Sequence, residues 1–142
     1  MDPAAAESDQ DLRRRVEASI VAREGQGAFR KGLLDAYRER CAITGISEPV
    51  LDAAHIRRYM GRHSNAPSNG VLLRTDLHTL FDKHLLTIVY DAGTYLVRVS
   101  DDLGADMYRA LDRQALTVLP PAAKDRPSAV LLAEHNQACD WL

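Results

Sequence analysis

Cysteine is scarce: Cys41 and Cys139 are the only two in 142 residues. Two thiols cannot build a disulfide framework or a four-cysteine zinc site, so a reduced, cytoplasmic protein held by packing is expected. No apolar run approaches the roughly 20 residues of a membrane span, and the N-terminus has no secretory apolar segment. No membrane partner is expected. Charge of one sign is missing too. Lysine and arginine number 18 against 20 acidic residues, a net charge of −2, whereas nucleic-acid-binding domains are often strongly basic.

The composition that remains is globular. With 46% apolar and 27% charged residues, the chain is long enough to bury the core of one domain. Its charge is uneven. Between Ala53 and His84, Arg57, Arg58, Arg62, Arg74 and Lys83 stand against two acids, Asp76 and Asp82. The acids gather elsewhere, around Asp101, Asp102 and Asp106. Such local focusing suits the steering of phosphate.

Residues 1–9 read as a polar tail or linker remnant, and 10–142 as one domain. Leu12, Val16, Ile20 and Val21 recur at helical spacing opposite Arg13, Arg14 and Arg15, and Gly25 and Gly27 are expected to end that helix. A second helix is expected over 28–40, with Phe29, Leu33, Leu34 and Tyr37 as its buried stripe. Residues 41–45 and 50–59 read as strands around the turn Ser47-Glu48-Pro49. A polar loop covers 61–69, Val71-Leu72-Leu73 a short strand, and a helix over 77–83 follows, capped by Thr75 or Asp76. A hairpin pairs 85–90 with 95–99 across Asp91-Ala92-Gly93-Thr94. A strand over 115–119 and a closing helix over 128–141 complete a mixed α+β domain.

Within this frame one polar triplet stands out. His55 is followed 14 residues later by Asn69, and Asn69 nine residues later by His78. Metal-dependent phosphodiester cleavage needs such a set: an imidazole to deprotonate water, an amide to fix it, and a ligand for a cation. His55 lies on a strand beside the small Ala53 and Ala54. Asn69 offers a side-chain or main-chain carbonyl to the other ring N–H. His78 and Asp82, at i and i+4 on a helix, can share a divalent cation. Singly, each residue reads as structural; the order and both spacings together carry the chemistry.

The stretch resembles the HNH endonucleases, whose ββα-metal core carries His, Asn and His in this order. The resemblance extends through Phe29-Arg30 to Leu34, Ala36-Tyr37, Arg40-Cys41-Ala42-Ile43-Thr44-Gly45, Ala53-Ala54-His55-Ile56, Asn69-Gly70 with Leu72-Leu73-Arg74, and Asp76-Leu77-His78 with Leu80-Phe81-Asp82. It is similar to the branch found in bacterial restriction and defence nucleases, and covers residues 20–90 strongly. It implies a ββα core at about 41–84, flanked by N-terminal helices, an added hairpin and a C-terminal helix. It also implies His55 as general base, Asn69 as orienting residue and His78 as metal ligand.

Two positions depart from that pattern. Where many members place a metal ligand just before the base, this chain has Ala54, so Asp82, with Asp52 behind it, is expected to complete the site. Asp76 is read as a helix cap. At the positions of the zinc knuckles stand Cys41, Thr44, Arg74 and Leu77, so no structural zinc is expected.

The expectation is therefore a DNA endonuclease domain using Mg²⁺, with Mn²⁺ or a transition metal as substitutes. Arg57, Arg58, Arg62 and Arg74 are the candidate nucleic-acid contacts. Arg30 and Lys31 read as helix surface, His84 as a helix end, and His135 and Trp141 as structural. Recognition by a sensing domain or partner, and a homodimer for double-strand breaks, accompany this reading. The competing reading is a non-catalytic DNA-binding or interaction module that keeps the fold, supported by Ala54 and the net charge. Nuclease action on RNA is a third.

Overall fold

A computed structural model describes residues 8–142, the side chains of 21–24 excepted. All but Ser8 and Asp9 of the expected tail, and the side chain of Val21, lie outside the described residues. Ser8 opens helix α1 (Asp9–Ala36), its hydroxyl accepting from the Asp11 amide at 3.0 Å. The helix runs unbroken for 28 residues where the sequence predicts two helices parted at Gly25 and Gly27. Glycine weakens a helix interior by about 1 kcal/mol relative to alanine, but it keeps its N–H, so packing can hold it in place. Phe29, Leu33 and Tyr37, each one turn apart, are buried. The stripe expected further upstream is not: Leu12, Val16 and Ile20 are 46%, 49% and 48% exposed.

Residues 41–45 form a tight turn rather than a strand, closed by the Gly45 amide donating to Cys41 O at 2.8 Å. The paired strands are β1 (Leu51–His55) and β2 (Gly70–Arg74), antiparallel, with Leu51 opposite Arg74 and His55 opposite Gly70. The first is shorter than predicted because the chain leaves it after His55 for a loop containing two 3-10 turns, Arg62–Asn65 and Pro67–Asn69. Helix α2 (Thr75–Asp82) follows β2 directly, which completes strand, strand, helix.

Local polar contacts hold the three elements together. Cys41 is fully buried, and its sulfur accepts from the Thr44 and Arg74 amides, each at 3.4 Å. Ala42 joins the turn to β2 through Leu72 O at 2.8 Å, and its own carbonyl accepts from the Thr117 amide at 2.8 Å. Asp76 does not cap α2. It receives the Arg74 guanidinium at 2.5 and 2.9 Å and the Tyr108 hydroxyl at 2.8 Å. Arg74 holds the Asp76 carboxyl below the usual carboxylate range.

Helix α2 stops in a left-handed residue, His84 at φ 57°. The His84 amide donates to Phe81 O at 3.1 Å and the Leu85 amide to Leu80 O at 3.0 Å, a Schellman closure that usually employs glycine. The hairpin stands as expected, β3 (Leu86–Asp91) with β4 (Thr94–Val99). Its turn places Ala92 and Gly93 at φ 50° and 85°, as a type I′ turn requires. Ala115 makes one isolated bridge to Leu96 in place of the expected strand. A four-residue helix α3 (Asp106–Arg109) precedes α4 (Ala129–Gln137), which is shorter than predicted and is capped by Ser128. Helix α4 is tied to β3 where the Thr87 hydroxyl meets His135 and Asn136. The α+β architecture with a ββα core and flanking helices is that of the sequence expectation.

One close approach sets the geometry of this core. A Cβ on Gly70 would lie 2.5 Å from Phe29 Cζ and 2.7 Å from Leu33 Cδ1. Gly70→Ala is expected to destabilise the domain by about 1–3 kcal/mol, the usual cost of overpacking, read as a lower midpoint of urea unfolding. An unchanged midpoint would show that α1 does not depend on this contact.

Candidate active site

A cleft of about 600 Å³ opens between α1, β1, the loop after it, α2 and α4, and His55, His78, Asp52 and Asp82 all line it. His55 ends β1, and the missing side chain of Gly70 opposite lets Phe29 slide over its ring. The two rings stack 3.9 Å apart at 8°. On its edge, His55 Nε2 lies 3.0 Å from Asn65 Oδ1.

Asn69 is buried and sits elsewhere. Its Oδ1 accepts from the Arg57 amide at 2.9 Å, and its Nδ2 donates to Arg57 O at 3.0 Å and Ser64 O at 2.7 Å. Its main-chain carbonyl accepts from the Ile56 amide at 2.9 Å. The sequence assigns Asn69 to the imidazole; its amide instead braces the backbone of the loop, and Asn65 meets the ring. Asn65 carries no sequence signal, because an asparagine in a polar loop reads as a turn residue.

His78 lies between two carboxylates. Its Nδ1 is 2.9 Å from Asp52 Oδ2 and its Nε2 is 3.1 Å from Asp82 Oδ2. An imidazolium would donate to both carboxylates; a neutral ring donates from one nitrogen only and turns a lone pair toward the other, a donor set suited to a cation. Two ligands about 2.1 Å from a cation and at right angles to it are about 3.0 Å apart, close to the separation of Nε2 and Asp82. Asp52 is the more tethered of the two: its Oδ1 also accepts from the Thr75 hydroxyl at 3.3 Å, whereas Asp82 is 59% exposed. The residues thus fit a largely hydrated cation with two protein ligands. Among the described residues no group of three or more His, Cys, Asp or Glu is arranged to hold a metal ion. Ala54 is fully buried in the core, and Ala53 rather than Ala54 lines the cleft, so a ligand at 54 has no place here.

Of the four arginines expected to touch nucleic acid, only Arg58 lines the cleft. Arg57 forms a two-pronged ion pair with Glu134 of α4, Arg74 turns to Asp76, and Arg62 sits exposed in the first 3-10 turn. Arg30, read as helix surface, lines the cleft instead, with Nη1 donating to Leu51 O at 2.7 Å. The far wall is histidine-rich. His135 stacks on Phe81 at 3.8 Å, its Nε2 lies 2.8 Å from Phe81 O, and burial lowers its pKa. His84 tilts against it at 4.7 Å and is anchored by the Trp141 indole, which donates to His84 O at 2.6 Å. Both histidines reach the cleft.

Replacing Asn69 separates a brace from a ring partner. Asn69→Ala leaves buried backbone groups without partners, and an unfolding free energy lower by about 1–3 kcal/mol is expected. Unchanged stability in a denaturant titration would argue that the amide does not hold the loop.

Residues 41–89 match the family model described as HNH endonuclease. None of the curated proteins matches the chain. Among solved structures, the chain is similar to a modification-dependent TagI restriction endonuclease, with a TM-score of 0.54 and 20% identity. The alignment covers 79% of this chain and 37% of that one, so the chain spans well under half of that protein's length. The matched segment contains β1, β2 and α2 together with His55, Asn69 and His78, so this ββα segment is, on its sequence, an HNH endonuclease domain.

Proposed function

We propose that this domain hydrolyses DNA phosphodiester bonds with a divalent cation, as the cleavage part of a restriction or defence nuclease. The observation that carries the reading is the convergence in one cleft of a stacked histidine, His55, and a histidine set between carboxylates, His78. His55 takes the proton of the attacking water. Nε2 of His78 and Asp82 hold the cation, and Asp52 fixes the His78 ring through Nδ1, the usual relation between a ligating imidazole and its carboxylate. Magnesium is the default ion for such oxygen-rich, partly hydrated sites, with manganese or a transition metal able to substitute. A bound cation supplies Lewis acidity toward the phosphate and its leaving oxygen.

Arg30 and Arg58 place positive charge on the cleft wall, where phosphate contacts position a duplex without reading its sequence. Sequence or modification recognition then falls to another domain or protein. One cleft cuts one strand, so a double-strand break takes two copies.

The direct test is nicking of supercoiled plasmid with Mg²⁺, Mn²⁺ or EDTA. Nicking is expected only with the ion and is lost in His55→Ala; cleavage by that variant at the wild-type rate sinks the mechanism. Asp82→Ala is expected to raise the ion concentration for half-maximal nicking further than Asp52→Asn, which loses only the carboxylate that orients the His78 ring, a change that predicts a loss of about 10–100-fold. The reverse order would exchange the two carboxylates. No nicking with any ion, and no ion-dependent rise in melting temperature, would favour the non-catalytic module, since only an ion-binding native state is stabilised by mass action.

A further inference from the structure

Asn65 stands outside the His-Asn-His triplet, yet it is the residue that touches the base. Its Oδ1 lies 3.0 Å from His55 Nε2. A carboxamide oxygen only accepts, so this contact places the ring proton on Nε2 and leaves the lone pair on Nδ1. One face of the ring is closed by Phe29, stacked at 3.9 Å, which removes the freedom to turn away. Gly25 completes the arrangement. A Cβ there would come within 2.8 Å of Asn65 Nδ2. Gly25 and Phe29 are four residues apart on one face of α1, so the same turn of helix admits the amide and presents the ring.

We propose that Asn65 is the positioning residue of the general base: it holds His55 in the Nε2–H tautomer, so that Nδ1 receives the proton of water, and Gly25 makes the room it needs. This rests on the reading of His55 as base. Asn69 does not take that part, because its amide is engaged with the backbone of Arg57 and Ser64. The opposite amide orientation, with Nδ2 donating to Nε2, would give the Nδ1–H tautomer, and the two are distinguishable by spectroscopy.

Long-range ¹H–¹⁵N NMR of the labelled full chain resolves the tautomer of each of its five histidines, with His55→Ala assigning the ring. The wild type is expected to show Nε2–H at His55. Asn65→Ala is expected to give a mixture of tautomers and, in plasmid nicking, a kcat lower by about 10–100-fold with unchanged DNA affinity. Asn65→Asp keeps an acceptor at the same place and should restore the single tautomer. Gly25→Ala installs the stronger helix former but displaces Asn65, and should reproduce the Asn65→Ala spectrum. An Nδ1–H ring in the wild type, or an Asn65→Ala spectrum identical to the wild type at His55, overturns the proposal. The tautomer is read without turnover, so a wild-type chain that fails to nick DNA overturns the nuclease reading alone.

Discussion

The approach of α1 to the β1–β2 pair governs the site. Phe29 occupies the space where a side chain at position 70 would stand, and from there its ring lies flat on His55. Gly70 is therefore as much a part of the site as the histidine opposite it. The same helix carries Leu33 and Tyr37 into the core, so the burial that fixes α1 also fixes the platform under His55. Chemistry and stability meet in one helix face, and neither can be altered there alone.

Around this contact the loop between the strands is held by directional bonds rather than apolar mass. Asn69 ties the backbone at Arg57 and Ser64, and the Ser64 hydroxyl donates to Gly61 O at 2.6 Å. A buried amide with several partners specifies one conformation, because every other one strands polar groups away from water. On the other side of the core, the Cys41 sulfur with two backbone amides, and Arg74 with Asp76 and Tyr108, join the turn at 41–45 to β2 and α3.

The sequence made the ββα order legible because its signals are local: an alternating strand, a loop rich in Gly, Pro, Asn and Ser, a short apolar strand, then an i, i+4 helix face. The hairpin was equally plain from Asp-Ala-Gly-Thr. His78 and Asp82 could be placed together because helix periodicity sets them one turn apart, whereas Asp52, three positions before His55, would face the other side of a regular strand, and its place beside His78 shows only in the fold. What the sequence hid depends on distant partners. Gly25 reads as a helix end by propensity, but it is a close-approach glycine whose neighbour, Asn65, lies 40 positions on. Arg30 reads as surface until β1 is folded beside it. Leu12, Val16 and Ile20 have core spacing without a core to face, since periodicity reports an apolar stripe and not what lies against it.

The unbroken course of α1 has a mechanical consequence. At about 1.5 Å per residue, 28 residues make a rod of about 42 Å. Phe29 sits nearer one end of it, and the exposed stretch around Leu12 to Ile20 forms a lever arm on the other side of that fulcrum. Dispersion between stacked rings weakens by about a quarter to a half over a gap of only 0.5–1 Å. The buried turn at Phe29 and Leu33 carries the whole exposed arm, so the seating of that turn and the stacking on His55 rest on the same few contacts.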